Sequence, residues 1–284
     1  MRHKILLPTD FSKNASKAIE YALELYKDDV CDFYLLNVFY AKGHLIESLI
    51  NLEPGSGVYE IVKEESQIRL QKIIDGLLLG DNVNPKHQFK SISKFNNTVE
   101  TIKNVVEEKD IEMIVMGTKG KTNARKVAYG SIAINVMEKV RNCPVIAVPE
   151  DAKLDMPKEI VFPTSYKTHF KRRELIYLID IAKKCKANIA VLHISNEDKL
   201  DQKQLENIEL LKEYFKEVTY SVHNLLNNNV ETAVGLFVES RASDMVAFIN
   251  KKHAFFGSIL TQPLVKDITY LTNVPILVMH DLRN

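Results

Sequence analysis

The feature that most restricts what this chain can fold into is that it is written twice. Residues 3–38, HKILLPTDFSKNASKAIEYALELYKDDVCDFYLLNV, and residues 158–194, KEIVFPTSYKTHFKRRELIYLIDIAKKCKANIAVLHI, follow one plan. Each is a short apolar run ending in Pro-Thr, a polar loop, a stretch with helical spacing, and a second apolar run rich in Val, Leu and Ile. The closing runs match too, NCPVIAVPE at 142–150 and NVPILVMHD at 273–281. Internal similarity at this spacing means two copies of one module. A length of 284 residues accommodates two domains of ordinary size. The charged segment EDAKLDMPK at 150–158, closed by Pro157, reads as the linker, so the modules are expected at 1–150 and 157–284.

Within the first copy the hydrophobic period alternates between strand and helix. KILLP is a buried strand, and Ser12 to Tyr26 places Ala15, Ala18, Ile19, Ala22 and Leu23 at helical spacing. DFYLLNV is a second strand, and 58–79 a helix with Ile61, Ile68, Ile73 and Leu77 on its apolar side. HQFKSIS alternates as a strand at a sheet edge does, and Asn97 or Thr98 caps the helix that follows. EMIVMG is a strand, 130–141 a helix, and PVIAVP a last strand. In the second copy strands are expected near 159–163, 188–194, 217–223, 244–249 and 276–280. Continuous apolar strands separated by helices predict an α/β fold with a parallel sheet covered on both faces. Because PVIAVP and PILVMH are apolar on both faces, the two modules are expected to pair within the chain through these last strands. Copy 1 also carries an extra segment at 41–59, which either covers a ligand or packs on the other module.

The stretch 115–133, VMGTKGKTNARKVAYGSIA, looks at first like a phosphate loop of the G-x-x-x-x-G-K-[ST] type. The spacing rules that out, since Val115 stands where the first glycine belongs. G-x-G-x-x-G fails as well. What remains is Gly117, Gly120 and then Gly130-Ser131. Gly117 leaves a strand where positive φ is expected, and Gly120 admits a ligand without a Cβ in the way. Gly130-Ser131 opens a helix whose unpaired N–H groups attract an anion. Lys119, Lys121, Arg125 and Lys126 lie in this loop, and no Asp or Glu stands between Met113 and Met137. That is an electrostatic setting for polyphosphate. The alternative is that the glycines only turn the chain and the cations face water. The loops after strands 1 and 4 meet where open α/β sheets bind ligands. Asp10 there either accepts hydrogen bonds from ribose or caps the helix near Ser12.

The remaining composition mostly excludes. Net charge is +1 and no basic patch is interleaved with aromatics, so nucleic acid is not an expected partner. No apolar stretch approaches the roughly 18 residues of a membrane span, and the N-terminus lacks a signal-peptide pattern. A cytoplasmic location is the expectation. Cys31, Cys143 and Cys185 form no C-x-x-C pair, and no histidines stand at ligand spacing, so no metal site is indicated. His193 and His280 read as structural.

Taken together, ILLPTDFS, LLNVF, the G-x-x-G-x9-G-S pattern and CPVIAVP resemble the universal stress protein family in its tandem form, over nearly the whole chain. The resemblance implies two Rossmann-like modules of the adenine nucleotide alpha hydrolase type. Each would be a five-stranded parallel sheet of order 3-2-1-4-5 with helices on both faces. It implies ATP, carried with Mg²⁺, as the cofactor of the first module. Carried over residue by residue, Asp10 would meet the ribose, shaped by Pro8 and Thr9, and the Val38 backbone would pair with the adenine edge. Gly117, Gly120, Gly130 and Ser131 would wrap the phosphates, with Met116 beside the ribose. Single-module relatives dimerise, which leaves a homo-oligomer open for this chain.

The second copy departs from the pattern. Ile249 stands for Gly117, Lys252 for Gly120 and Ser165 for Asp10, and Gly257-Ser258 lies farther from Pro275 than Gly130-Ser131 does from Pro144. A β-branched Ile does not take φ > 0 comfortably, so this copy is expected to bind no nucleotide. Three functions remain: an ATP-binding stress or signalling module without efficient chemistry, a slow ATPase, and a nucleotide-free interaction scaffold.

Overall fold

A computed structural model describes residues 2–39, 54–79, 83–120, 129–195, 199–226, 229–250 and 273–280. The elements run β1 (His3–Pro8), α1 (Lys13–Leu25), β2 (Cys31–Phe39), α2 (Gly57–Leu78), β3 (His87–Phe95), α3 (Thr98–Lys109), β4 (Met113–Gly117), α4 (Ser131–Lys139) and β5 (Val145–Val148). They continue as β6 (Glu159–Thr164), α5 (Arg172–Cys185), β7 (Asn188–Ser195), α6 (Gln202–Phe215), β8 (Tyr220–Leu226), α7 (Val230–Arg241), β9 (Met245–Asn250) and β10 (Ile276–His280). The described strands join one ten-stranded sheet of order β3-β2-β1-β4-β5-β10-β9-β6-β7-β8. Each half is therefore a parallel 3-2-1-4-5 sheet, as the resemblance implied.

The alternation of β1 explains the layers. Ile5 and Leu7 face one side, where α1, α2, α5 and α6 lie, and Leu6 faces the other, where α3, α4 and α7 lie. Both apolar cores run through the two halves without interruption, because β5 and β10 are hydrogen-bonded to each other in antiparallel register. Val145 stands opposite Val278 and Ala147 opposite Ile276, and all four are buried. Lys184 of α5 reaches back to Asp29 at 2.5 Å and lies over the Tyr26 ring at 3.6 Å, tying α5 to the end of α1.

Three sequence expectations need correction. Ile61 and Ile68 are 66% and 48% exposed, whereas α2 buries Ser66, Leu70 and Ile74. The helix is rotated to bring Ser66 onto Asn37 and Ser93, a polar demand that a count of apolar residues does not register. β8 begins at Tyr220 and not 217, because the chain is still leaving α6, with Val218 N–H bonded to the Phe215 carbonyl. α4 is shorter than 130–141 and stops at Lys139. Most of the 41–59 segment, as well as Lys121, Thr122, Arg125, Lys126, Lys252, Gly257 and Ser258, lies outside the described residues.

Candidate functional site

The carboxyl ends of β1, β2 and β4 and the start of α4 surround a cavity of about 600 Å³. Pro8, Thr9, Asp10, Val38, Met116, Gly117, Gly120, Gly130 and Ser131 all line it. These are the residues singled out in the sequence, drawn from four separate segments. The volume falls within the range of small-molecule sites.

The loop after β1 is held by its own side chains. Thr9 Oγ1 accepts the Phe11 N–H at 3.0 Å, and Asp10 Oδ1 accepts the Ser12 N–H at 3.0 Å. Phe11 is thereby kept at φ 64°, a strained conformation for a bulky residue. Ser12 caps α1 by accepting from Ala15 N. The cap is therefore Ser12, and one oxygen of Asp10 holds the N–H of that cap residue. The other, Oδ2, faces Gly120: a Cβ on that glycine would stand 2.8 Å away.

Gly117 is needed for a reason other than the expected positive φ. Among the described glycines only Gly55 has one. A Cβ at 117 would instead lie 2.8 Å from Asn14 Oδ1 and 2.9 Å from the Asn14 carbonyl carbon. Asn14 is 3% exposed and bonded on every side. Its Oδ1 accepts the Lys119 N–H at 2.6 Å and the Thr118 hydroxyl at 3.2 Å, and its Nδ2 donates to the Val148 carbonyl at 2.9 Å. One amide thus ties the glycine loop to α1 and to the last strand of the first half. Farther on, Gly130 N–H donates to the Thr118 carbonyl at 2.7 Å, closing the loop at the entrance of α4. As N-cap, Gly130 offers no side chain to the first N–H groups of α4, and Ser131, Ile132 and Ala133 line the cavity. Helix N-termini of this kind accept anions.

Several cavity residues escaped the sequence reading. Asn37 donates to the Thr9 carbonyl at 2.7 Å and accepts from Ser66 at 2.8 Å, so it sets the spacing between β1 and β2. A single Asn inside the apolar run LLNVF was the available signal. Arg69 lies over the Phe11 ring at 4.1 Å and pairs with Glu65 at 3.4 Å, and both α2 residues line the cavity. Arg69 and Glu65 stand on a helix rich in solvated charges, and nothing in its local pattern marks these two as facing a cavity. The cysteines take no part. Burial pushes the Cys31 thiol up to about 12, and Asp29 adds to it, so the thiolate is inaccessible near neutral pH. His193 is buried, with its Nδ1–H bonded to the Thr164 carbonyl at 2.9 Å.

The second half repeats the first turn and alters its chemistry. Tyr166, at φ 57°, bonds Thr164 Oγ1 through its N–H as Phe11 does Thr9. Ser165 replaces Asp10, and His193 takes the place of Asn37 on the neighbouring strand. The strand register also fixes Ile249 opposite the role of Gly117: Ile5 pairs with Met113 and Ile160 with Met245.

Residues 1–149 match the sequence model of the universal stress protein family. The chain belongs to that family. Its curated relatives include universal stress protein MJ0577 of Methanocaldococcus jannaschii, 27% identical over 52% of this chain and 95% of the relative. Universal stress protein MJ0531 of the same organism is 28% identical over 53% of this chain and 84% of the relative. Among solved structures, a universal stress protein from Archaeoglobus fulgidus superimposes with a TM-score of 0.71 at 18% identity, covering 97% of this chain and 95% of that one. That likeness extends the family fold across both halves. Among the described residues, no helix of this universal stress protein is long and apolar enough to cross a membrane.

Proposed function

We propose that the first module, residues 1–150, holds one adenine nucleotide, ATP, as a stress-response or signalling module that does not turn it over at an enzyme's usual pace. One observation carries this reading: nine residues chosen by pattern from distant segments line a single cavity, with the N-terminus of α4 at one end. The cradle suits a nucleotide because a Cβ at Gly120 would collide with Asp10, so the backbone there can approach a ligand only as glycine. Asp10 would take the ribose hydroxyls, the Val38 backbone the adenine edge, and Gly120 and Ser131 would offer N–H groups to the phosphates, since the Thr118 and Lys119 N–H groups are already bonded to Val148 and Asn14. Among the described residues no cluster of His, Cys, Asp and Glu could cage a metal, so Mg²⁺ would be carried on the phosphates.

The second module, residues 157–284, is proposed to bind no nucleotide and to serve as the first module's pairing partner, in place of a second copy. Ile249 fills the position that has to be glycine in the first half, and Ser165 carries no charge for ribose. Titration calorimetry is expected to give about one ATP site per chain, and two equivalent sites would overturn the assignment.

Glu65 favours a second reading, slow hydrolysis, because it is a carboxylate in the cavity besides Asp10. Glu65 is held by Arg69 at 3.4 Å. Turnover well below ~1 s⁻¹ is expected. Phosphate release at several per second, lost in Glu65→Gln while ATP still binds, would establish an enzyme.

A further inference from the structure

We propose that Asn250, in the second half of the chain, is a positioning residue for the anion-binding end of the cavity in the first half, acting through α4. The inference rests on the nucleotide reading above and adds a role for the half that is proposed to bind nothing.

The register of the two halves makes Thr118 and Asn250 the same position of the repeat, since Met113 and Met245 occupy equivalent places beside β1 and β6. Both are buried, at 1% and 5% exposure. The two residues hold opposite ends of one helix. Thr118 accepts the Gly130 N–H where α4 begins. Asn250 Nδ2 donates to the Met137 carbonyl at 3.2 Å in the last turn of α4, and Arg141 Nη2 donates to the Asn250 carbonyl at 2.7 Å just beyond it.

The last N–H bonded within α4 is that of Val140, to the Val136 carbonyl, so Met137 presents one of the acceptors a helix leaves unmatched at its end. The other half of the chain supplies the donor. α4 has nine residues and is about 14 Å long. Ala133, Ile134, Val136 and Met137 are buried on one face, which makes the helix a short rigid rod. A rod of this kind cannot shift at its C-terminus without carrying its N-terminus along. Ser131, Ile132 and Ala133 at that N-terminus line the cavity. Asn250 is itself fixed at the end of β9, opposite His280 of β10, so the grip comes from the central sheet.

A purely sealing role for these bonds would act on stability alone. A positioning role acts on phosphate groups and spares the nucleoside. The experiment is titration of the full chain with ATP and, separately, with adenosine, for wild type, Asn250→Ala and Arg141→Ala at one salt concentration. Both variants should bind ATP at least three- to tenfold more weakly, the effect expected for loss of a hydrogen bond, with adenosine affinity unchanged. Equal losses for the two ligands, or no loss of ATP affinity in either variant, would overturn the proposal. If Asn250→Ala does not fold, Arg141→Ala decides alone. If wild type binds neither ligand, the nucleotide reading has failed by itself. Amide hydrogen exchange at Ile134, whose N–H closes the first turn of α4 on the Gly130 carbonyl, in the unliganded protein then decides: faster exchange in Arg141→Ala supports the coupling, and unchanged exchange refutes it.

Discussion

Replacing Gly117 by alanine would place a methyl carbon 2.8 Å from Asn14 Oδ1 and 2.9 Å from the Asn14 carbonyl carbon. The second distance decides the outcome, because a backbone atom in the first turn of α1 cannot rotate away. α1 has to move or the strand end has to bend, which costs about 1–3 kcal/mol as overpacking. Movement of Asn14 also strains its bonds to Lys119, Thr118 and Val148, buried bonds worth about 1 kcal/mol each. A total loss of roughly 2–4 kcal/mol is expected, together with loss of nucleotide binding. Gly120→Ala is the contrasting case. Among the described residues its Cβ would meet Asp10 alone, at Oδ2 and Cγ, the far end of a side chain, and no backbone atom within 4 Å. Stability should fall by less than about 1 kcal/mol while binding is lost, because Asp10 is driven from its place and the loop can no longer close on a ligand. Urea denaturation followed by circular dichroism, with ATP titration of each variant, separates the two. Gly117→Ala as stable as wild type, or Gly120→Ala the less stable variant, would refute this account of the glycines.

Asp10→Ala should weaken ATP binding by ~1–3 kcal/mol through lost charge-assisted hydrogen bonds, and titration calorimetry measures it directly. Glu159→Gln tests a joint within the second half. Arg241 donates to the Glu159 carboxylate and, against the cost of burial, holds it below the usual carboxylate range, with Ser243 adding a bond at 2.7 Å. A depressed folded-state pKa gives stability that is present above the ordinary Glu value and lost as pH falls through the folded one. The variant should therefore be about 1–2 kcal/mol less stable than wild type at pH 7. The gap should begin to narrow once pH falls below the ordinary Glu value and close only below the lowered folded-state one, as denaturation curves against pH would show. A chain ended at residue 150 leaves the edge of β5 bare and should dimerise, as light scattering after gel filtration would show. A well-behaved monomer would contradict the importance given to that edge.

The parallel sheet and the site were legible for different reasons. Runs such as KILLP and EMIVM are apolar throughout, and only strands covered on both faces need that composition, so element type and order followed directly. The site was legible because backbone approach demands glycine, and glycine spacing survives in the sequence as a pattern. What did not show were the polar groups that hold the backbone in place. Asn14 sits among alanines on the buried face of α1, and Ser66 turns α2 away from the face its isoleucines suggest. Both act on residues far along the chain, Val148 and Asn37, and local periodicity carries no information about such distant partners. The reason for Gly117 was misassigned for the same cause: its conflict is with Asn14, more than a hundred residues earlier.

The place of β10 in the sheet bears on how the protein is made. β10 lies between β5 and β9, yet it is the last described strand in chain order. A ribosome making 5–20 residues per second needs on the order of ten seconds to travel from β5 to β10. Throughout that interval the nascent first module presents Val145, Ile146, Ala147 and Val148 with one side of their ladder unpaired. Neighbouring chains on one polysome would carry the same bare edge at the same time. The order of synthesis thus makes mispairing between nascent chains the natural competitor of correct folding, and early capture by a chaperone the step that should most raise the yield.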